Sequence, residues 1–239
     1  MLDPRGRTGM ISGASRGIGL AIAHLLAEAG ANVVVSSRKA EACEAAVAEI
    51  VAAGGKAVAV PANISRRDDL ENLIEKPHQH LGPVDAMICN AASNPYFGPS
   101  SGMSDEVFTK VMQNNVLSNH WLSQLVYPDM KAAGGGAIVI VSSIGGLKGS
   151  KEIGLYCISK AADMQLARNL AVEWGPDNIR TNVILPHAKS PGLNWWIENN
   201  PEEAEEFLAG IPLRRVGECE EDIGRFVAMM CTEESRYMN

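Results

Sequence analysis

The sequence has no excess of positive charge, because its 21 lysine and arginine residues stand against 28 aspartate and glutamate residues, for a formal net charge of −7. It therefore gives no electrostatic reason to bind nucleic acid or an anionic membrane surface. No apolar run approaches the roughly 20 residues needed to span a bilayer. The polar start, "MLDPRGRTGM", lacks the apolar core of a signal peptide. We expect neither a nucleic-acid partner nor a membrane partner.

Cysteines are few and show no recognisable spacing. The five thiols are odd in number and contain no CxxC pair, so a disulfide framework is not expected. His78 and His80 form an HxH pattern without an acidic or cysteine partner at ligand spacing, which predicts no metal site. This composition is typical of a reduced, cytoplasmic protein.

The sequence does contain a regular alternation of two patterns. Its 239 residues, 46% hydrophobic and 21% charged, suffice for one sizeable globular domain over residues 1–239. Short apolar runs rich in β-branched residues predict buried parallel strands. These runs cover residues 32–38, 56–64, 85–92, 136–143 and 179–186.

Between the strands, apolar residues recur at i, i+3 and i+4, which predicts helices. The predicted helices cover residues 19–30, 41–55, 65–82, 104–135 and 155–175. Ser65 and Ser104 stand where helix N-caps belong, and Gly30 and Gly54 stand where helices should end. Alternating strands and helices favour an α/β fold with a doubly wound parallel sheet. Ligands of such sheets bind at the carboxyl ends of the strands.

A glycine-rich segment, "ISGASRGIG" at residues 11–19, lies where the first strand should turn into the first helix. Gly13, Gly17 and Gly19 would let the backbone approach a pyrophosphate, and the helix N-terminus offers free N–H groups. Such a pattern alone is weak, since any turn of this kind can be glycine-rich. Its place before an amphipathic helix and a second strand favours a dinucleotide site.

The end of the second strand indicates which dinucleotide is bound. NAD-binding folds carry an acidic residue there, about 20 residues beyond the glycines, to hold the ribose 2′-hydroxyl. Here Ser37 stands 18 residues after Gly19, and Arg38 follows it. No carboxylate repels a 2′-phosphate, and Arg38 and Arg16 can pair with one. The alternative is that both arginines are solvated surface charges. We predict NADP(H) rather than NAD(H).

A second polar set follows the strand at 136–143. Tyr156 and Lys160 share a helix face at i, i+4, and Ser143 ends the preceding strand at the ligand-binding edge. An ammonium beside a phenol favours the phenolate form. Tyr156 could then exchange a proton with a substrate oxygen, while Ser143 holds that oxygen and Lys160 reaches the coenzyme ribose.

These motifs, in this order, resemble the short-chain dehydrogenase/reductase family. The resemblance covers nearly the whole chain, from "SGASRGIG" through "NAA" at 90–92 to "YCISK" and "PLRRVGE". Within the family, "VVVSSRK" and "NAASNPYFGP" are similar to NADP-dependent carbonyl reductases and 3-oxoacyl reductase-like members. The resemblance implies a Rossmann fold and hydride transfer between NADP(H) and a ketone or secondary alcohol.

The resemblance also implies a role for individual residues. Ser143, Tyr156 and Lys160 correspond to the catalytic trio, and Asn115 to a fourth member whose helix kink holds a water in the proton relay. Asn63 and Ile64 match the adenine contacts, and Asn90 lines the coenzyme cleft. The full set of expected coenzyme contacts is Gly13, Ser15, Arg16, Gly17, Ile18, Gly19, Ser37, Arg38, Asn63, Ile64, Asn90, Ala91, Ala92, Tyr156, Lys160, Pro186 and Lys189.

The chain departs from the family pattern before the glycines and after the sixth strand. Arg7 and Gly9 should weaken the first strand, and Ser12 replaces the usual threonine. The family's nicotinamide loop, Pro-Gly-x-Ile/Val-x-Thr, reads "PHAKSP" at 186–191 here. A histidine at 187 is expected to strain the turn, and Pro191 has neither the hydroxyl nor the N–H of threonine.

The chain also stops at "YMN", where the family continues into a last strand. Either further residues follow in the complete protein or the strand is absent; if it is absent, we expect one sheet edge to be exposed and one subunit interface to be weakened. The family forms homotetramers through the long helices, so a homo-oligomer is expected, either a dimer or a tetramer.

The residues after the sixth strand should form a substrate flap, over 187–215. We interpret His187 as a replacement for a turn glycine rather than as an acid or base, and Trp195 either covers the substrate or packs the flap on the body. The predicted pocket walls are Asn94, Pro95, Tyr96, Gly145, Gly146, Leu147 and Trp195. They favour a hydrophobic or ring-bearing small-molecule carbonyl. The alternative is a coenzyme-binding protein with little activity, serving as a scaffold or regulatory subunit.

Overall fold

Six parallel strands form one sheet in the computed structural model, which describes residues 6–239. The strands are β1 Thr8–Ser12, β2 Asn32–Ser36, β3 Lys56–Ala59, β4 Val84–Cys89, β5 Gly136–Val141 and β6 Ile179–Ile184. Their order across the sheet is β3-β2-β1-β4-β5-β6, so the chain winds outward in both directions from the boundary between β1 and β4. The predicted doubly wound fold is confirmed. Residues 1–5, half of the polar start that predicted no signal peptide, lie outside the described part of the chain.

Helices cover both faces of the sheet. They are α1 Gly17–Glu28, α2 Ala40–Ala52, α3 Arg67–Leu81, α4 Asp105–Met112, α5 Ser118–Ala132, α6 Gly154–Trp174, α7 Pro191–Asn199, α8 Pro201–Gly210 and α9 Arg225–Met230. Within residues 6–239, no helix is both long enough and apolar enough to cross a membrane.

The sheet separates two apolar cores. Ile11 and Val35 point into the core beneath α1, α2 and α9, whereas Met10 and Val34 point into the core beneath α3, α5 and α6. Because each central strand is buried on both faces, its sequence is apolar at successive positions rather than at alternate ones. Each fully buried aliphatic side chain of this kind contributes about 1.5–3 kcal/mol to folding.

The first strand forms despite the residues that were expected to weaken it. All five residues of β1 are buried, and Arg7 lies just outside its beginning. A Cβ placed on Gly9 would lie 3.0 Å from Leu26 Cδ1. Glycine at this position therefore allows α1 to pack close to the strand, so the sequence-based expectation was wrong.

Two helix boundaries differ from the prediction. The segment 104–135 is interrupted at Gln113–Leu117, where the backbone forms a π-helical turn. Ser104 caps α4 by accepting a hydrogen bond from the Val107 N–H, as predicted. Ser65 does not cap α3, because its hydroxyl donates to Asn63 Oδ1 and the helix begins two residues later.

The outer edge of β6 is the sheet edge that was expected to be exposed. The last two residues of the chain partly cover it: the Thr181 N–H donates to Asn239 Oδ1, and Asn182 Nδ2 donates to the Met238 carbonyl. Arg180 adds a bond from Nη2 to the Met230 carbonyl. The Thr181 N–H is a backbone group that a neighbouring strand could otherwise bind, and the other two bonds attach the C-terminal segment to β6 through side chains.

The turn that follows β5 packs tightly against α6. It spans Ile144–Gly146, and a Cβ on Gly146 would lie 2.8 Å from the carbonyl carbon of Lys160 and 2.9 Å from the nitrogen of Ala161. Both atoms belong to the backbone and cannot move aside as the end of a flexible side chain can. The approach of this turn to α6 therefore requires glycine.

We expect the Gly146→Ala substitution to lower the free energy of unfolding by about 1–3 kcal/mol, the usual cost of overpacking. The measurement is urea unfolding followed by circular dichroism. Gly149→Ala is the matched control, since a Cβ at Gly149 meets nothing within 4 Å. Equal unfolding midpoints for the two variants would contradict the tight contact.

Candidate active site

The glycine-rich segment forms a cradle at the carboxyl end of β1. Gly13 has φ +69°, in the left-handed region. A Cβ on Gly19 would lie 2.4 Å from the Gly13 carbonyl oxygen and 2.6 Å from Asn90 Nδ2. The α1 helix begins at Gly17, so its first N–H groups border the same space. The loop has the shape and donors that a pyrophosphate requires.

Asn90 and Ser12 hold this loop in place. The Asn90 side-chain Nδ2 donates to the carbonyls of Ser12 and Gly13, each at 3.0 Å. The Ser12 hydroxyl oxygen accepts from the backbone N–H groups of Asn90 and Ala91, each at 3.1 Å. Serine thus provides the same oxygen that threonine would offer. In the structure Asn90 binds the glycine loop itself, in addition to lying at the edge of the cleft.

The end of β2 presents the residues predicted to recognise the adenosine phosphate. Ser37 is half-buried, and its hydroxyl lies 3.1 Å from Cys43 Sγ. Arg16 and Arg38 are exposed, and neither forms an ion pair with another residue in the range 6–239. Two unpaired guanidinium groups therefore stand at the edge where a 2′-phosphate would be placed.

The remaining predicted coenzyme contacts surround the same edge. Asn63 follows β3, and its Oδ1 accepts bonds from the Ser65 N–H and hydroxyl. The half-buried residues in this group are Ser15, Ile18, Ile64, Ala91 and Pro186, and Ala92 is exposed. These residues follow β1, β3, β4 and β6, whose carboxyl ends form one edge of the sheet. They fit a dinucleotide laid along that edge.

Ser143 lies at the carboxyl end of β5, directly before the Ile144–Gly146 turn. Its hydroxyl oxygen accepts from the Gly145 N–H at 3.2 Å, which leaves the hydroxyl proton available for another acceptor. Because Gly146 contacts the backbone of α6 at Lys160, the turn brings Ser143 to the first turns of that helix.

Tyr156 and Lys160 project from those first turns. Tyr156 is half-buried, and Lys160 Nζ lies 5.8 Å from the centroid of its ring. Lys160 Nζ donates to the Val141 carbonyl at 2.8 Å and to Asp163 Oδ2 at 3.1 Å. Lys160 is only 2% exposed. The structure therefore brings Lys160 to Tyr156 but holds its ammonium inside the protein, whereas the sequence predicted that it reaches the coenzyme ribose.

Asn115 lies inside the π-helical turn at Gln113–Leu117. Its Oδ1 accepts from the Ser93 N–H at 2.8 Å, and its Nδ2 donates to the Ser93 carbonyl and the Ser159 hydroxyl, each at 3.0 Å. Its side chain is therefore fully occupied in joining the loop after β4 to α6. The irregularity expected at Asn115 is present.

The loop at 186–191 departs from the family pattern without the strain expected at His187. Its φ is not in the left-handed region, and its carbonyl accepts from the Gly217 N–H at 3.0 Å. The imidazole packs edge-on against Phe207, with centroids 4.8 Å apart. Burial, followed by the positive charge of Lys148, lowers the pKa of His187. The His187 imidazole therefore packs against another residue of the predicted flap, 187–215.

Pro191 opens α7, where a missing N–H is of no consequence. The Ser190 hydroxyl caps this helix by accepting from the Leu193 N–H. Pro191 Cδ would lie 3.4 Å from a Cβ on Gly17, so α7 starts beside the glycine loop. Lys189, predicted as a coenzyme contact, forms an ion pair with Glu218.

Three polar residues near this site were not singled out from the sequence. Ser12 was treated only as a mild replacement, and Asn119 and Asp163 lay within predicted helices without an assigned role. A signal was nevertheless present, because Asp163 stands three residues after Lys160 and so shares its helix face. Both Asn119 and Asp163 are almost completely buried.

Comparison with known proteins agrees with this geometry. A family model described as enoyl-(acyl carrier protein) reductase matches residues 13–239. Rat dehydrogenase/reductase SDR family member 4 is 34% identical over 233 residues, which cover 98% of this chain and 83% of the rat protein. Human dehydrogenase/reductase SDR family member 2, mitochondrial, is 33% identical, with coverage of 98% and 82%.

A solved structure of 7 alpha-hydroxysteroid dehydrogenase, complexed with NADH and 7-oxo glycochenodeoxycholic acid, superposes with a TM-score of 0.93. The two chains are 34% identical, and the match covers 99% of this chain and 92% of that one. The family match, the sequence identity and the shared architecture agree along almost the whole length. The chain therefore belongs to the short-chain dehydrogenase/reductase family of oxidoreductases.

Proposed function

We propose that this protein transfers hydride between NADP(H) and a ketone or secondary alcohol, with Ser143, Tyr156 and Lys160 as the proton relay and Asn115 as its fourth member. The observation that carries the proposal is the contact between α6 and the end of β5. Lys160 Nζ is bonded to the Val141 carbonyl, two residues before Ser143, and lies beside the Tyr156 ring. A protein without this chemistry has no physical need for these three residues together.

Each side chain has a distinct task. Bound NADP(H) supplies or accepts the hydride. Tyr156 donates a proton to the carbonyl oxygen during reduction and takes one from the alcohol during oxidation. Ser143 donates its free hydroxyl proton to the same oxygen and keeps it in line with the phenol. The positive charge of Lys160 stabilises the phenolate form of Tyr156.

The coenzyme preference rests on the end of β2. Ser37 replaces the acidic residue that would hold a ribose 2′-hydroxyl. Arg38 follows it directly and Arg16 lies in the loop after the neighbouring strand β1, and both arginines are exposed. A 2′-phosphate would gain charge-assisted hydrogen bonds from both arginines. The similar hydroxysteroid dehydrogenase was solved with NADH, so the coenzyme has to be tested on this chain.

The proposed substrate is a hydrophobic or ring-bearing carbonyl compound. Leu147 and Trp195, two of the expected pocket walls, are exposed apolar side chains. Asn94 Oδ1 is buried without a hydrogen-bond partner among residues 6–239. The flap at 187–215 supports this proposal through Trp196, whose ring packs on Phe207 at 5.5 Å while Trp195 remains outside. The 7-oxo bile acid bound by the similar dehydrogenase is a ring-bearing ketone.

A second candidate function is coenzyme binding with little turnover, as a scaffold or regulatory subunit. The burial of Lys160 favours it, because an ammonium that is only 2% exposed is not open to a ribose in the cleft. Saturable NADPH binding without turnover of any compound in a carbonyl panel would support this candidate.

We also propose a homo-oligomer, a dimer or a tetramer, that assembles through the outer faces of α4, α5 and α6. Ile158 and Val172 are exposed on α6 and stand 14 residues apart, close to four helical turns, so they share one face. Phe108 and Leu117 are exposed on the neighbouring helical segment. Apolar exposure of this kind is typical of subunit contacts.

For the compartment, we propose the cytoplasm. All five cysteines are unpaired thiols, as a reducing compartment requires. The similarity to a relative named as mitochondrial makes mitochondria the other compartment to examine.

Tyr156→Phe should lower kcat for ketone reduction by about 10²–10⁴-fold, the usual contribution of a positioned proton donor. The dissociation constant for NADPH should change by no more than about tenfold, since the ring is retained and one hydroxyl, worth about one neutral hydrogen bond at most, is lost. Steady-state kinetics on the carbonyl panel and NADPH fluorescence titration measure the two quantities. Tyr237→Phe, at a fully exposed tyrosine, is the control. Near-normal turnover of the Tyr156 variant would refute the proposed proton donor.

Arg38→Ala should weaken NADPH binding about tenfold or more, as expected for one lost charge-assisted hydrogen bond, and leave NADH binding unchanged. Calorimetric titration of both coenzymes provides the measurement. Arg168→Ala removes an exposed arginine on α6 and serves as the control. Tighter binding of NADH than of NADPH by the wild-type protein would overturn the coenzyme preference.

Replacing both Ile158 and Val172 by glutamate should reduce the molar mass measured by light scattering to that of a smaller assembly, because charges would be buried in the interface. Val51→Glu introduces the same charge at an exposed apolar residue of α2 and should leave the mass unchanged. A monomeric wild-type protein would contradict the proposed assembly.

A further inference from the structure

A buried polar cluster lies directly beneath the candidate active site. It consists of Lys160, Asp163 and Asn119, which are 2%, 0% and 1% exposed. Lys160 and Asp163 stand three residues apart on α6, and Asn119 lies on α5. None of the roles described above uses Asp163 or Asn119. Placing three such groups in an apolar core is costly unless each is paired.

Asp163 is the counter-ion of Lys160. Its Oδ2 accepts from Lys160 Nζ at 3.1 Å, and the other acceptor of that ammonium is the neutral Val141 carbonyl. The pKa of the Asp163 carboxyl is raised overall, because burial outweighs the charge of Lys160 and the hydrogen bonds from Asn119 and Lys160, which favour the carboxylate. The titratable group that faces the pair from the sheet is Cys89 on β4, whose pKa burial raises, so that it remains a neutral thiol. The carboxylate therefore supplies the negative charge that keeps a buried ammonium protonated.

Asn119 connects this ion pair to the π-helical turn at Asn115. Its Nδ2 donates to the Asn115 carbonyl at 2.7 Å and to Asp163 Oδ1 at 2.9 Å. Its Oδ1 is buried and has no hydrogen-bond partner among the described residues. Reversing the amide would place that oxygen against two acceptors. Asn119 is thus held as a double donor, at the cost of one unsatisfied acceptor.

The cluster leads from the turn at Asn115 to Tyr156. A continuous series of hydrogen bonds joins the Asn115 carbonyl, Asn119, Asp163 and Lys160, and Lys160 Nζ lies 5.8 Å from the centroid of the Tyr156 ring. A charge in a water-poor interior acts strongly over this distance. Whether Lys160 is charged therefore affects how readily the phenol ionises.

We propose that Asp163, aligned by Asn119, is a positioning residue for proton transfer, which holds Lys160 as a charged ammonium beside Tyr156. The inference rests on the proposed function in one respect, namely that Tyr156 is the proton donor. Asp163 does not contact the substrate and acts only through Lys160. Without the carboxylate, the buried lysine would have only a carbonyl partner and would lose its proton, and the phenolate of Tyr156 would lose its stabilising charge.

The test is the ionisation of Tyr156 in the Asp163→Asn variant, which keeps the shape of the side chain and removes its charge. Tyrosinate absorbance is titrated against pH in the presence of NADP⁺. Subtracting the same titration of a matched Tyr156→Phe protein removes the signals of Tyr96, Tyr127 and Tyr237. We expect the midpoint of Tyr156 ionisation to rise by about one pH unit or more, as for the loss of a neighbouring positive charge.

The pH profile of alcohol oxidation should move with the absorbance. Its rising limb reports the deprotonation of the group that accepts the proton, so it should shift upward by the same amount. At a fixed pH below the midpoint, a one-unit shift corresponds to an about tenfold lower rate. An unchanged midpoint would show that Asp163 has only a structural role. A lower midpoint would show that the carboxylate merely offsets the lysine charge. Either result overturns the proposal.

Two controls isolate the pathway. Glu173→Gln removes an exposed charge from the same helix and should leave the Tyr156 midpoint unchanged. In the double variant Lys160→Met/Asp163→Asn, the midpoint should equal that of Lys160→Met alone, because Asp163 acts through the lysine. A further shift in the double variant would contradict this route.

Folding of the variants is also informative. If Asp163→Asn does not fold, the double variant should recover the fold, because it no longer buries an unpaired ammonium. Failure of the double variant to recover it would refute the counter-ion role. The titration needs no substrate, so a raised midpoint in a protein that reduces no carbonyl would refute the proposed function and leave the positioning role intact.

Discussion

The attachment of α6 to the carboxyl end of β5 is the contact on which the rest of the site depends. Lys160 Nζ donates to the last carbonyl of the strand, and the Ser142 hydroxyl donates back to the Lys160 carbonyl at 2.8 Å. Gly146 lets the intervening turn lie against the same part of the helix. These contacts join the strand that carries Ser143 to the helix that carries Tyr156. Without them the two hydroxyl groups would belong to independent elements, and their separation would not be maintained.

Hydrogen bonds also fix the glycine-rich loop at the other end of the candidate site. Asn90, which follows β4, binds the carbonyls of Ser12 and Gly13, so the glycine loop is fixed to the neighbouring strand. Both sets of contacts lie at the carboxyl edge of the sheet, on β1, β4 and β5, which are adjacent in space. Because the strands are parallel, their ends meet at one edge, and short loops suffice to bring a dinucleotide cradle and a proton relay together.

The departures from the family pattern prove compatible with the fold for local reasons. His187 does not have a positive φ and packs on Phe207, and Pro191 takes the first position of α7, where its missing N–H costs nothing. Gly9 makes room for Leu26, so the first strand is buried throughout. Each position looked unfavourable when judged by residue type alone, and in each case a neighbouring element determined the outcome.

The sequence by itself determined the alternation of strands and helices, the doubly wound sheet, the glycine loop and the i, i+4 relation of Tyr156 and Lys160. These features are local and periodic, so they can be read along the chain. Only the tertiary structure decided that Lys160 is turned inward to Asp163 and that Asn119 joins the pair to Asn115. It also decided that Ser65 binds Asn63 rather than capping α3. The hydrogen bond between Asn119 and Asp163 joins residues 44 positions apart, so it depends on how α5 packs against α6, and spacing along one helix carries no information about a partner on another.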